Sequence, residues 1–396
     1  MLQKKISTKN QHSAGHIMKI AHLTFDMRIG GTEQVIMNIV RGESNININA
    51  KDTIEHRILC IESPIGPFGE MLLDEGIPID TWQRAEGFDT QLVSSLRTYL
   101  KQHNIDILHC HQYTPWSYGV LAAIGLKTKI IFTEHGRFYP DSSNWKRRFV
   151  NPILAYFTDH ITAISKATKQ ALVAFEFLSE KQIQVIYNGI NPILLSDAER
   201  ASVDNLRDTL GIDRDTLILG TISRFDPIKN HTLLIKAIEK LVANGHKVHL
   251  LVVGDGECRH AIETQIKALN LQQYITLTGY QTNPKCYLAL MDIFVLPSFS
   301  EGTSMTLLEA MSLGKPCVVS NVGGNPEVVA HQQSGWIFAN NDLNGCITGI
   351  EALLTHAQRS QYEKIAYTRY QSLFTAQTMR DEFYTLYADC MELTTW

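Results

Sequence analysis

Two glutamates, Glu301 and Glu309, lie eight residues apart in SFSEGTSMTLLEAMSLGKP (298–316). Glu309 falls inside a helical run, where a carboxylate can accept two hydrogen bonds from a vicinal diol such as that of a ribose. Glu301 precedes the helix and can accept from sugar hydroxyls. Between them, GTSM offers backbone N–H groups at a helix start, with Ser and Thr as caps, a setting that favours an anion. Paired carboxylates also suggest glycoside hydrolysis. That reading is set aside because one of the two sits in a helix among apolar residues. In SRFDPIKN (223–230), Arg224 and Lys229 lie five apart. They could hold a diphosphate, Arg as a fork and Lys as a point charge, although a solvated surface pair is the commoner fate.

ILHCHQY (107–113) puts His109 and His111 either side of Cys110. On a strand the two histidines share one face and the cysteine takes the other, so the trio does not converge on one metal. His111 ends its run, where a parallel sheet delivers side chains to a cleft. His135, in TEHG (133–136), ends another run and has a scaffold reading beside its functional one. In RIGGTE (28–33), Gly30 and Gly31 permit close backbone approach at a helix start, although GG is not GxGxxG and suits a tight turn equally. GGNPEVV (323–329) is a further glycine-rich loop after a strand.

These loops need a scaffold that brings them together. KIAHLTF (19–25), HRILCIE (56–62), IDILHCH (105–111), KIIFTEH (129–135), HITAIS (160–165) and IQVIYNG (183–189) read as strands separated by amphipathic helical runs. A break at 191–205 reads as a linker. The alternation then restarts with LILGTIS (217–223), KVHLLVVG (247–254), ITLTG (275–279), DIFVLPS (292–298) and PCVVS (316–320). Such βα alternation specifies parallel sheets covered by helices. Two runs of it specify two Rossmann-like α/β domains facing across a cleft. Ligands in such sheets bind beyond the carboxyl ends of the strands, which is where the candidate loops fall.

The totals agree with this plan. The chain has 396 residues, 44% hydrophobic and 19% charged, with a net charge of −4. That length suits two domains, and the charge gives no reason to expect nucleic-acid binding. Seven cysteines, at 60, 110, 258, 286, 317, 346 and 390, have no CxxC among them and suit free thiols in a reducing compartment. No apolar run reaches the roughly 18–20 residues that span a bilayer. Residues 1–17 read as a polar extension without a signal-peptide core. The expected location is cytoplasmic. In NWKRRFVNPILAYF (144–157), a basic-edged core helix is the first reading and contact with anionic lipid, at the inner face of a membrane, the second.

The ordered set GGTE, HCH, TEHG, AISKAT, VIYNGI, GTISRFDPIKN, LLVVGDGE, LTGY, PSFSEGTSMTLLEAM and VGGNPEVV resembles a family 4 retaining glycosyltransferase of the GT-B fold, over nearly the whole chain from Met18. The resemblance implies an acceptor domain over 18–190, a nucleotide-sugar domain over 206–375 and a helix over 376–396 that crosses back to the first domain. It assigns Arg224 and Lys229 to the donor diphosphate, Glu309 to its ribose and Glu301 to the transferred sugar. Gly302, Thr303, Ser304, Met305 and Thr306 would contact sugar and phosphate, Gly30 and Gly31 the diphosphate, and Gly254 and Tyr280 the surroundings of the base. His111 would face the donor sugar, and Glu33 and His135 the acceptor side. Ser165 and Asn188 match family loop positions and read as structural.

The donor implied is a nucleotide-diphosphate sugar, UDP-linked first and GDP- or ADP-linked behind it. The acceptor is a glycan or lipid-linked hydroxyl, with no other cofactor and no metal required. Where many relatives carry FG after the first glutamate, this chain has Thr303 and Ser304, a change that bears on the shape of the sugar pocket. A sugar-nucleotide epimerase, a phosphorylase-like enzyme and a non-catalytic nucleotide-sugar binder are the alternatives on the same fold.

Overall fold

The computed structural model describes residues 17–42, 53–136 and 144–392. The short apolar runs become strands of two parallel sheets. The first contains β1 (Ile17–Thr24), β2 (Thr53–Cys60), β3 (Ile79–Thr81), β4 (Ile107–His111), β5 (Lys129–Glu134), β6 (His160–Ala163) and β7 (Ile183–Val185), in the order β3-β2-β1-β4-β5-β6-β7. The second contains β8 (Leu217–Ile222), β9 (Val248–Val253), β10 (Ile275–Gly279), β11 (Ile293–Leu296), β12 (Cys317–Ser320) and β13 (Gly335–Phe338), in the order β10-β9-β8-β11-β12-β13. The strand order reverses between β1 and β4 and between β8 and β11. A crevice opens at each reversal, beyond the carboxyl ends of the strands. RIGGTE and His111 end the first pair, and Arg224 and the Glu301 loop follow the second.

Strand alternation divides the first sheet into two unlike faces. Ala21, Leu23, Leu108, Cys110 and Phe132 pack with Leu96, Trp116 and Val120 from the helices Thr90–His103 and Tyr113–Ala123. The opposite face presents Met18, Ile20, Ile107 and Ile131. It is covered by Val35 and Ile39 of helix Gly31–Val40 and by Met379, Phe383, Tyr387 and Cys390 of the C-terminal helix Ala376–Glu392. Each large apolar side chain buried this way contributes about 1.5–3 kcal/mol. The last helix in the sequence is thus part of the first sheet's core.

The chain passes between the domains twice, at one place. Ile190 N donates to Phe374 O at 3.0 Å, and Ala376 N donates to Ile190 O at 2.8 Å. The two crossings are held side by side.

Two expectations are corrected. The segment 191–205 is not simply a linker, because helix Asp197–Thr209 occupies most of it. Ser196 and Glu199 form a reciprocal capping box at its start, the device that an S-x-x-E sequence encodes. Helix Arg147–Tyr156 is not a basic-edged core helix. It buries only Asn151, Leu154 and Ala155, while Trp145, Phe149, Ile153 and Tyr156 are 70%, 65%, 60% and 81% exposed.

Candidate active site between the two sheets

On the second sheet's side, Lys229 Nζ donates to Glu301 Oε1 at 2.7 Å, and Ser298 Oγ donates to the same oxygen at 2.6 Å. Lys229 reaches that position because Asp226 caps the short 3-10 turn Pro227–Lys229, accepting from Ile228 N at 3.0 Å, and because Asn230 takes the left-handed conformation at φ 53°. Arg224, exposed at the rim, is held by Asp226 Oδ2 at 2.7 Å. Helix Met305–Ser312 begins at Ser304, whose Oγ accepts from Leu307 N at 3.4 Å and lies 3.1 Å from Thr306 Oγ1. The start of this helix follows directly on the loop that carries Glu301, and unpaired N–H groups at a helix start favour an anion. Glu309, within this helix, has no side-chain hydrogen bond or ion pair among the described residues. Burial raises its pKa to about 7.

Backbone contacts shape the floor. Gly254 has φ 140°, its N–H donates to Gly279 O at 3.0 Å, and a Cβ there would run into Ser223 O. Only glycine fits this position. Tyr280 follows, 59% exposed. Gly324 N donates to Gly302 O at 2.9 Å, so the glycine-rich loop at 323–324 buttresses the loop of Glu301.

The two domains touch at these residues. A Cβ on Gly302 would lie 2.8 Å from His135 O and 3.2 Å from Ile164 Cδ1, both in the first domain. Thr303 Oγ1 donates to Ile164 O at 3.2 Å. Gly31 sits against Met305, at 3.7 Å from a built Cβ to Cγ. The Glu33 carboxylate folds back over Gly30, into the space a Cβ would fill. Burial raises the pKa of Glu33 to about 7. Glu327 of the second domain accepts from Lys166 N at 2.8 Å, Ala167 N at 2.9 Å and Tyr187 OH at 3.0 Å. It therefore caps the N-terminus of the first-domain helix Lys166–Glu176, where a carboxylate is favoured by the unpaired N–H groups. Sequence reasoning did not single out Glu327 for this contact. Ser165 caps the same helix, accepting from Thr168 N at 3.0 Å.

The histidines form a band across the buried face of the first sheet. His111 Nε2 is 3.0 Å from His22 Nδ1, and His111 Nδ1 is 2.8 Å from His135 Nε2. His22 Nε2 is 3.0 Å from His56 Nδ1, and His56 Nε2 is 3.0 Å from Tyr384 OH on the C-terminal helix. His109 bonds Tyr387 OH at 2.8 Å and Thr133 Oγ1 at 2.6 Å. Burial holds the pKa of His22, His109 and His111 well below its usual value, with neighbouring imidazoles adding to the effect.

The expectation that His111 meets a bound sugar is corrected here. His111 is fully buried, and both its nitrogens are taken by neighbours from β1 and the end of β5. Strand alternation within β4 could not show those neighbours. The convergence of ligand atoms on one point, set aside from sequence, does arise once β1 joins: His22, His109 and His111 bring nitrogens within 4.8 Å of one another. Every nitrogen of that trio already has a hydrogen-bond partner. His22 and His56 were missed because each is a lone histidine in an apolar strand. Their shared parity with His109, set by the pairing of His22 with His109, was the available signal.

The structure thus brings Gly30, Gly31, Glu33, His135, Lys229, Glu301, Gly302, Thr303, Met305 and Glu327 to one interdomain seam. Arg224, Gly254, Tyr280 and Glu309 flank it on the second-domain side.

Comparison with known proteins gives the same picture. The profile of glycosyl transferases group 1 matches residues 202–370, and that of glycosyltransferase family 4 matches residues 29–193. The chain is 25% identical over 355 residues to the UDP-Gal:alpha-D-GlcNAc-diphosphoundecaprenol alpha-1,3-galactosyltransferase of Escherichia coli, covering 86% of this chain and 88% of the relative. It is 28% identical over 316 residues to N-acetyl-alpha-D-glucosaminyl L-malate synthase of Bacillus anthracis, covering 77% and 80%. Among solved structures, Anabaena HepE in complex with UDP-glucose superposes with a TM-score of 0.78 at 22% identity, over 94% of this chain and 100% of that one. Paired sheets, opposed glycine loops and both profiles in chain order lead to one assignment: the chain belongs to the family 4 glycosyltransferases of the GT-B fold.

Proposed function

We propose that this glycosyltransferase moves a hexose from UDP to a hydroxyl of a lipid-linked glycan with retention of anomeric configuration. The observation that carries the reading is the Lys229–Glu301 pair at 2.7 Å, at the strand-order reversal of the second sheet and against the first domain's loops. Breaking the bond from C1 to the diphosphate oxygen leaves negative charge on UDP. Lys229, Arg224 and the amides that open helix Met305–Ser312 stand where that charge develops, which is electrostatic stabilisation of a leaving group without a metal in that role. Glu301 orients the sugar hydroxyls, and Glu309 accepts from the ribose diol. The new bond from C1 to the acceptor oxygen forms on the face the diphosphate leaves, and the acceptor proton passes to the departing phosphate. His135 borders the sugar, and His111 supports it from behind. UDP is preferred because HepE was solved with UDP-glucose, and a lipid-linked acceptor because the Escherichia coli relative acts on a diphosphoundecaprenol sugar.

NMR of the product formed from a UDP-hexose donor tests the stereochemistry: retention is expected, and an inverted anomeric centre overturns the mechanism. UDP affinity at the wild-type value in a Lys229→Ala/Glu309→Ala double variant would sink the site assignment.

A lipid-linked acceptor requires the enzyme at a membrane surface. Among the described residues no helix is long and apolar enough to cross a membrane. Helix Arg147–Tyr156 and the turn before it instead offer Trp145, Phe149, Ile153 and Tyr156 to solvent, beside exposed Lys146 and Arg148. Aromatic and aliphatic groups bordered by cations complement an anionic bilayer. Sedimentation with phosphatidylglycerol vesicles is expected for the wild type and lost in Trp145→Ser/Phe149→Ser. Equal binding by the double variant, or none by the wild type, refutes this surface.

A further inference from the structure

The row of imidazoles running from the cleft to the C-terminal helix has a property that its burial alone does not explain. His135, His111, His22 and His56 are joined nitrogen to nitrogen at 2.8, 3.0 and 3.0 Å, and His56 is joined to Tyr384 OH at 3.0 Å. A bond between two imidazoles needs one N–H and one lone pair, and a neutral imidazole has one of each. These rings are held neutral by burial, which lowers the pKa of His56 to about 4 and of His135 to about 3. The bonds therefore point the same way all along the row. Reversing one reverses every one of them.

Tyr384 settles the direction. Its hydroxyl lies 3.2 Å from the Gly42 carbonyl oxygen, which can only accept. With the phenol proton on that oxygen, the phenol oxygen accepts from His56 Nε2–H. His56 Nδ1 is then bare and accepts from His22 Nε2–H, His22 Nδ1 accepts from His111 Nε2–H, and His111 Nδ1 accepts from His135 Nε2–H. At the far end His135 Nδ1 is left bare. It is buried and has no hydrogen-bond partner among the described residues. His135 is also the residue whose carbonyl abuts Gly302, one residue from Glu301.

We propose that Tyr384 is a positioning residue for the transfer site: through His56, His22 and His111 it fixes His135 in the Nε2–H tautomer, so that His135 Nδ1 meets a substrate hydroxyl as an acceptor. The link to a substrate hydroxyl rests on the reading of this seam as the transfer site. The tautomer itself does not, and it is measured without substrate.

The test uses the full chain labelled with 15N-histidine and long-range 1H–15N correlation of the ring nitrogens. All four histidines of the row are expected as Nε2–H tautomers. His135 carrying its proton on Nδ1, or a cationic imidazole within the row, overturns the proposal. In Tyr384→Phe nothing selects the direction, so the His135 ring shifts are expected to move toward the mean of the two tautomers. With about half the molecules in the competent form, kcat falls by about twofold at unchanged donor KM. Tyr387→Phe, on the same helix but bonded to His109 outside the row, is the control and is expected to leave the His135 shifts in place. Wild-type His135 shifts in Tyr384→Phe, or equal displacement by both variants, refute the assignment. Should Tyr384→Phe fail to fold, the wild-type spectrum still decides the tautomer.

Discussion

Glu309→Gln tests the nucleotide site through a proton count. In the unfolded chain this carboxyl ionises near 4.5, and in the native protein burial raises it to about 7. Between those values the native state holds a proton that the unfolded state has released. Stability therefore falls as pH rises through that window, by at most about 3.5 kcal/mol at about 1.4 kcal/mol per pH unit. A ribose diol donating to Glu309 reverses this by favouring the ionised form. At pH 6 free Glu309 is about nine-tenths protonated, so its share of the protons expelled on binding UDP, beside that of the nucleotide's own phosphate, is about 0.9 at pH 6 and about 0.1 at pH 8. Titration calorimetry in buffers of different ionisation enthalpy reads both numbers. Glutamine carries no proton to expel and exchanges a charge-assisted bond worth about 1.5–3 kcal/mol for a neutral one worth about 0.5–1.5 kcal/mol, so affinity at pH 8 should drop about fivefold to tenfold. Glu33 also titrates near 7, and Glu33→Gln in parallel separates its share. Wild-type proton release and affinity in Glu309→Gln would refute the placement of the ribose.

Two further outcomes follow from the seam between the domains. Gly302→Ala places a Cβ 2.8 Å from the His135 carbonyl oxygen, a backbone atom that cannot swing away. It should hold the cleft apart, enlarging the radius of gyration in small-angle scattering and cutting kcat/KM by at least about tenfold, equivalent to about 1.4 kcal/mol. Wild-type scattering would contradict the wedge. Glu327→Ala removes the acceptor for Lys166 N, Ala167 N and Tyr187 OH. It should disfavour the closed arrangement by about 1.5–3 kcal/mol, read as lower interdomain energy transfer between labels on the two lobes. Unchanged transfer efficiency would show that other contacts hold the seam.

What the sequence disclosed and what it hid divide along physical lines. Buried parallel strands are apolar runs, and their carboxyl ends carry the chemistry. The loops at Gly30, Arg224 and Glu301 could therefore be found by position as well as by residue type. Helix Asp197–Thr209 also had its signal, the S-x-x-E at Ser196, which the polar composition of the segment masked. Side-chain neighbours across strands were a different matter. That His111 is enclosed by His22 and His135 depends on register between strands far apart in the chain, which periodicity within one strand does not contain. Helix Arg147–Tyr156 shows the same gap, because spacing specifies an apolar face but not whether the protein covers it. Glu327 was hidden for a related reason, since its partners are backbone N–H groups of the other domain.

The docking of helix Ala376–Glu392 onto the first sheet has a consequence for biosynthesis. One face of that sheet, with Ile20, Ile107, Ile131 and the imidazole row, is translated before Gly189, and the helix that covers it comes after Thr375. At about 5–20 residues per second, that face waits roughly 10–40 s for its cover while the whole second lobe is made. The second sheet has no such debt to later sequence beyond its own helices, so it can close first. The lobe translated earlier is then the later of the two to finish folding.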